Sequence, residues 1–172
     1  MTRAVPLGDL VAPAVARRLA CFLYEGVLLF GLLIVAGLLY GVATNQRNAS
    51  VGALGLQVFL FVVLGAYFVW FWSRHGQTLA MRTWHVRLFT RNGQPVGLLR
   101  ASCRYLLAWL WFVPALVVLK FSGLSGAAPA FVSLAAGVLA YASLSRLHPD
   151  RQFLHDAACG TRLVTWRASN TT

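Results

Sequence analysis

Only four of the 172 residues are acidic, and two of them, Glu25 and Asp156, stand where a carboxylate has chemical consequences. Glu25 interrupts the run Leu19 to Ala43, which is otherwise free of charge. An ionised group near the centre of a bilayer costs at least ~2.5–3.5 kcal/mol, so this carboxylate is expected to be protonated, paired or open to a wet cavity. Those are the properties of a proton- or cation-binding group; the alternative is a structural hydrogen-bond partner between helices. Arg18 precedes Glu25 by seven residues, two helical turns, so both lie on one face. The ~10 Å rise between them is too long for a tight ion pair unless Arg18 reaches inward. Arg18 is therefore read as a modulator of the charge at Glu25.

The second group lies near the C-terminus, in Arg151-Gln-Phe-Leu-His155-Asp156-Ala-Ala-Cys-Gly160-Thr161. Histidine titrates near physiological pH, so a His155–Asp156 pair at a membrane surface could relay protons. The favoured alternative makes Asp156 an anchor, tying a strongly basic tail to Arg17 or Arg18. No nucleotide-binding loop, zinc spacing or nucleophile elbow occurs, so an enzyme is not expected, nor a metal or other cofactor. Cys21, Cys103 and Cys159 are widely spaced and odd in number, which sets no disulfide framework. His148-Pro149-Asp150 copies a co-chaperone tripeptide, and Asn48 and Asn170 begin glycosylation-like triplets; all three are read as chance.

The elements that must hold these residues are apolar helices. Hydrophobic residues make up 59% of the chain and charged residues 11%, against roughly 45–50% and 25% in soluble domains. The apolar residues fall into four blocks, about 19–43, 51–73, 103–121 and 129–147, which predicts an all-α integral membrane protein with four transmembrane helices. Pro114 should kink the third. Gly37-x-x-x-Gly41 and Ser133-x-x-x-Gly137 are expected to pack helices closely within the chain. No cleavable signal peptide is expected: the first run is too long and lacks a cleavage site. A single membrane domain, 19–164, is thus flanked by tails 1–18 and 165–172.

Between the second and third blocks lies GQTLAMRTWHVRLFTRNGQPVGLLRAS. Gln77 to Trp84 predicts a short surface helix, Val86 to Arg91 leads into the hairpin signal Asn92-Gly93, and a further helix runs from Gly97. The mixture fits a basic amphipathic segment on the headgroups, with a polar loop as the alternative. Arg82, Arg87, Arg91, Arg100 and Arg104 are its candidates for contact with anionic lipid or a partner protein.

The formal charge is +11. Nucleic acid is not the expected partner, because the charges lie between apolar blocks instead of on one soluble face. Four spans place the N-terminal tail, the middle segment and the C-terminal tail on one side. Thirteen of the fifteen basic residues then share it, leaving Arg47 and Lys120 opposite. Positive residues stay cytoplasmic, so both termini are expected inside.

Arg18, an acid seven residues later, Gly76-Gln-Thr-Leu, Arg100-Ala-Ser-Cys-Arg104 and Leu154-His-Asp followed by Gly160-Thr161 together resemble the RDD family of multi-pass membrane proteins. In that resemblance Arg18 matches the family's arginine and Asp156 its second aspartate, while Glu25 stands in place of the first, moving the carboxylate out by one methylene. The resemblance implies a membrane location in a bacterial inner membrane and, through members linked to cation/proton exchange, proton-coupled transport of a small cation or solute. Glu25 would be the carrier carboxylate and Asp156 a cytoplasmic gate or anchor. Four spans are few for a monomeric transporter, so a homo-oligomer is expected. The competing expectation is a non-transporting scaffold that works through the arginine-rich segment.

Overall fold

The computed structural model describes residues 12–45, 52–122, 126–144 and 152–166. Arg3, Arg47, Arg146, Arg151, Arg167, the His148 tripeptide and the two Asn triplets lie outside them. The first helix, α1 (Val15–Ala43), follows Pro13, contains no proline and carries four glycines without interruption; α2 (Ala53–Arg74) starts after Gly52 in a left-handed conformation. At ~1.5 Å per residue, both exceed the ~30 Å of a bilayer core. Leu98–Phe121 is also long and apolar enough to cross, and α6 (Ala127–Leu144) is a shorter apolar helix.

The helix beginning at Leu98 is not continuous. It runs as α4 (Leu98–Ala108), tightens to a 3₁₀ turn at Trp109–Trp111 and resumes as α5 (Val113–Ser122). The interruption falls just before Pro114, whose ring would meet the carbonyl four residues back in a regular helix. Phe112 N–H reaches Trp109 O at 3.0 Å instead of the residue four back.

These helices expose apolar side chains. Leu23, Val27, Phe30, Val42, Phe121 and Phe131 are all more than 60% exposed, and Trp72 is the one buried residue among the 22 of α2. Such surfaces belong against lipid, where no hydrophobic force drives them together. Burial concentrates instead at one end, in Ala80, Met81, Val86, Leu88, Val96, Ala101, Tyr105, Phe153 and Leu163.

That end is a folded cap. Gly76, at φ +69°, turns the chain out of α2, and an added Cβ there would meet Leu88 O at 3.1 Å. The turn leads into α3 (Leu79–Thr83), capped by the Thr78 side chain, which accepts from Met81 N–H at 3.2 Å. Strand β1 (Val86–Thr90) follows. Asn92-Gly93 does make a tight turn, with Gly93 at φ +73° and its N–H on Thr90 O. The expected local hairpin does not form, however. Pro95 on the returning arm has no N–H to give a ladder, and β1 pairs antiparallel with β2 (Thr161–Thr165), near the C-terminus. The register is Val86↔Thr165, Leu88↔Leu163 and Thr90↔Thr161.

Two glutamines extend this sheet with their side chains. Gln77 Nε2 donates to Val86 O at 2.7 Å, and Gln152 exchanges two bonds with the Leu163 backbone at 3.0 and 3.2 Å. The middle segment is built into the cap, where Val86, Leu88, Phe89 and Thr90 are buried. A short helix, α7 (Leu154–Ala158), completes it.

The two small-residue motifs behave differently. A Cβ on Gly137 would lie 2.9 Å from Ala115 Cβ, so α5 and α6 meet there backbone to backbone. A Cβ on Gly37 would meet nothing within 4 Å, so that expected packing position touches no described neighbour.

Candidate functional site

Glu25 lies on α1 where the helix passes α2 and α3, and is 7% exposed. Tyr67, on α2, donates its hydroxyl to Glu25 Oε1 at 2.7 Å, and the Thr78 hydroxyl donates to Glu25 Oε2. Thr78 is held in place because the same oxygen also accepts from Met81 N–H as the cap of α3. Both carboxylate oxygens are therefore held by neutral hydroxyls. Among the described residues no Lys, Arg or His nitrogen lies within ion-pair distance of Glu25.

Asp156 is fully buried on α7, and its partner corrects the sequence reading. It pairs with Arg104, whose Nε lies 2.7 Å from Asp156 Oδ1, not with Arg17 or Arg18. Arg104 was expected to face lipid or a partner. It is instead 6% exposed, with its guanidinium 4.1 Å from the centre of the Trp72 ring. The reason is helical spacing: Ala101, Arg104 and Tyr105 share the face of α4 that turns to α2 and the cap. Arg104 thus joins α4, α2 and α7, and Thr161 Oγ1 ties β2 to the same corner through Asp156 O at 3.2 Å.

His155 faces inward beside Asp156. Its ring Nδ1 lies 3.1 Å from Tyr141 Oη, and its backbone N–H donates to the same oxygen at 3.1 Å. Burial, with Arg104 adding repulsion and Asp156 opposing, lowers its pKa to about 4. The ring is neutral at pH 7; the tautomer protonated at Nε2 would let Nδ1 accept from the Tyr141 hydroxyl while Nε2–H faces Asp156 Oδ1, 3.5 Å away. The expected titration near physiological pH is displaced by burial.

Arg18 is 4% exposed and stacks over Phe153, 4.6 Å from the ring centre. Its Nε and Nη1 are buried without a hydrogen-bond partner. A second orphan, Asp156 Oδ2, lies in the same region.

These groups meet at a cavity of about 370 Å³ lined by α1, α2, α4 and the cap. Arg18, Glu25, Thr78, Arg104 and His155 give its polar wall; Leu29, Leu33, Leu64, Phe68, Trp109 and Phe112 give the apolar one. The cavity exists because α1 packs on α2 and α3 and makes little contact with α4 and α5. The remaining predicted arginines separate. Arg82 and Arg87 border, with Arg74 and His75, a second concavity of about 480 Å³. Arg91 is exposed and donates to Ala157 O at 3.1 Å, and Arg100 is exposed on α4.

Tyr67, Thr78, Trp72 and Tyr141 were not singled out from the sequence. Thr78 had a signal, since it stands in Gly76-Gln-Thr-Leu ahead of a helix, where a threonine caps. Among the described residues no group of three His, Cys, Asp or Glu side chains is placed to hold a metal ion. No curated protein and no solved structure matches the chain. Residues 12–160 match the model of the RDD family. With most of its length covered and its long helices turning apolar side chains outward, this multi-pass membrane protein belongs to the RDD family.

Proposed function

We propose that the chain crosses a bacterial inner membrane four times, with both termini cytoplasmic, and exchanges protons for a small cation at Glu25. One observation carries this reading: a buried carboxylate lines a cavity, is held by two neutral hydroxyls and has no described basic partner. In a low-dielectric wall such a carboxylate is neutralised by a proton or a cation. Tyr67 and Thr78 suit either occupant, because a hydroxyl can donate to the carboxylate or turn its lone pairs to a cation. The pairing of β1 with β2 supports the span count. The pairing brings the middle segment and the C-terminal part together, as expected if an even number of crossings separates them. Arg18 against Phe153 does the same for the start of α1.

The test is proton release at equilibrium. Adding Na⁺, K⁺ or Li⁺ to purified protein in weak buffer is expected to release about one proton per chain for the cation it binds. The Glu25→Gln variant should release none. Release undiminished in Glu25→Gln contradicts the assignment.

A second reading is favoured by the basic concavity of Arg74, Arg82 and Arg87. There the protein is a scaffold that holds an acidic partner surface. It predicts a partner that co-purifies with wild type and is lost on replacing these three residues by glutamine, while Glu25→Gln retains it.

A further inference from the structure

We propose that the cavity between α1 and the α4–α5 arm binds one anionic phospholipid of the surrounding bilayer, with its phosphate on Arg18 and an acyl chain running along the cavity wall to Leu29, towards Leu33. The inference concerns binding and does not depend on whether Glu25 moves protons.

Arg18 supplies the head site. A buried guanidinium nitrogen without an acceptor is costly, and here two are left over on a side chain that is 4% exposed and lines the cavity. The other charged groups of the wall are already engaged. Arg104 is paired with Asp156, and Glu25 accepts two hydroxyls. Stacking on Phe153 holds the Arg18 guanidinium in place without neutralising it. A guanidinium with unpartnered N–H groups on two of its nitrogens suits a phosphate, which can accept from more than one of them.

The walls supply the tail site. Beyond the polar end the lining is leucine and aromatic. Along α1, Leu29 and Leu33 lie roughly 16 and 22 Å from Arg18 at ~1.5 Å per residue. A chain of one leaflet reaches about half of the ~30 Å core, so a phosphate on Arg18 brings the end of an acyl chain to the level of Leu29, about one helical turn short of Leu33. The volume of about 370 Å³ falls at the lower end of the ~300–1,000 Å³ of ligand sites, which admits one chain and leaves the other in the bilayer.

The experiment titrates delipidated protein in detergent with phosphatidylglycerol and, separately, phosphatidylcholine, counting bound lipid by native mass spectrometry. Wild type and Arg100→Gln, a surface control, should each retain one phosphatidylglycerol. Arg18→Gln should bind it at least tenfold more weakly. Leu33→Trp, which fills the apolar end and leaves Arg18 intact, should also lose it, so that the result does not hang on one variant's folding. Inorganic phosphate at equal concentration should not displace the lipid. Equal retention by wild type, Arg18→Gln and Leu33→Trp overturns the proposal, as does full displacement by inorganic phosphate, which would make Arg18 a small-anion site. A loss of thermal stability in Arg18→Gln with lipid retention unchanged also overturns it, and assigns the free nitrogens to Asp156 Oδ2.

Discussion

Glu25 and its two hydroxyl partners separate stability from function at the scale of single residues. Tyr67→Phe leaves one carboxylate oxygen without a donor, an expected loss of about 1–3 kcal/mol. Thr78→Val removes the other donor and also the cap of α3, which adds about 1 kcal/mol. The valine variant should therefore melt lower in detergent than the phenylalanine variant; the reverse order contradicts the double role of Thr78. Arg104→Gln leaves Asp156 buried without its countercharge, at roughly 3–5 kcal/mol.

His155 adds a pH dependence of definite sign. Its pKa in the fold, about 4, lies below its ordinary value, so undocking the cap takes up a proton. The stabilisation is complete above about pH 6.5 and is lost as pH falls towards 4, by on the order of 3 kcal/mol. Hydrogen-exchange protection factors across 152–166, taken relative to the intrinsic amide rate at each pH, should fall over that window, and His155→Leu should flatten the dependence. The unusual position of Glu25 was legible in the sequence, but its partners were not. They lie 42 and 53 residues away on other elements, and nothing local points to them. Asp156 was legible as an anchor; which of many arginines it met depended on how α4 turns its face.

The elements divide between those written in local pattern and those made by distant pairing. The long apolar runs and the break near Pro114 follow from composition and one ring. The sheet does not, because each strand has only five residues and the partners are separated by α4, α5, α6 and α7. Thr161-Arg-Leu-Val-Thr165 carries the β-branched pattern of a strand, which is the signal that would have found it.

The docking of α7 and β2 against α4 is testable through Cys103 and Cys159, whose sulfurs lie 3.5 Å apart. Burial and the neighbouring Cys103 thiol push Cys159 up to about 12, so thiolate is scarce at pH 7 and exchange slow. A copper oxidant should form an intramolecular disulfide, faster as pH rises, seen as the loss of two hydrogens in the intact mass. No cross-link in folded protein would place the two elements apart. At the α5–α6 contact, Gly137→Val forces a Cβ against Ala115 and should destabilise by about 1–3 kcal/mol.

At the scale of the whole molecule, the cap gathers the start of α1, the middle segment and the C-terminal part at one end of the helices. The fold alone has no inside or outside; under the proposed four spans, thirteen of the fifteen basic residues of the sequence fall on one side, and the positive-inside rule makes that side the proposed cytoplasmic one. A reporter fused after Thr172 should be active in the cytoplasm, and Asn45→Cys should react with an impermeant thiol reagent added outside. A silent reporter, together with an Asn45→Cys variant that does not react from outside, reverses the orientation. The expected oligomer is a separate matter, read from mass in nanodiscs.

Exchange at Glu25 is tested most directly by proton flux in proteoliposomes on adding Na⁺, K⁺ or Li⁺, with wild type and Glu25→Gln side by side. The expected result is cation-dependent flux in wild type and its loss in a folded Glu25→Gln protein of equal orientation. No flux from intact wild type with any of these cations, or flux undiminished by the substitution, would contradict it.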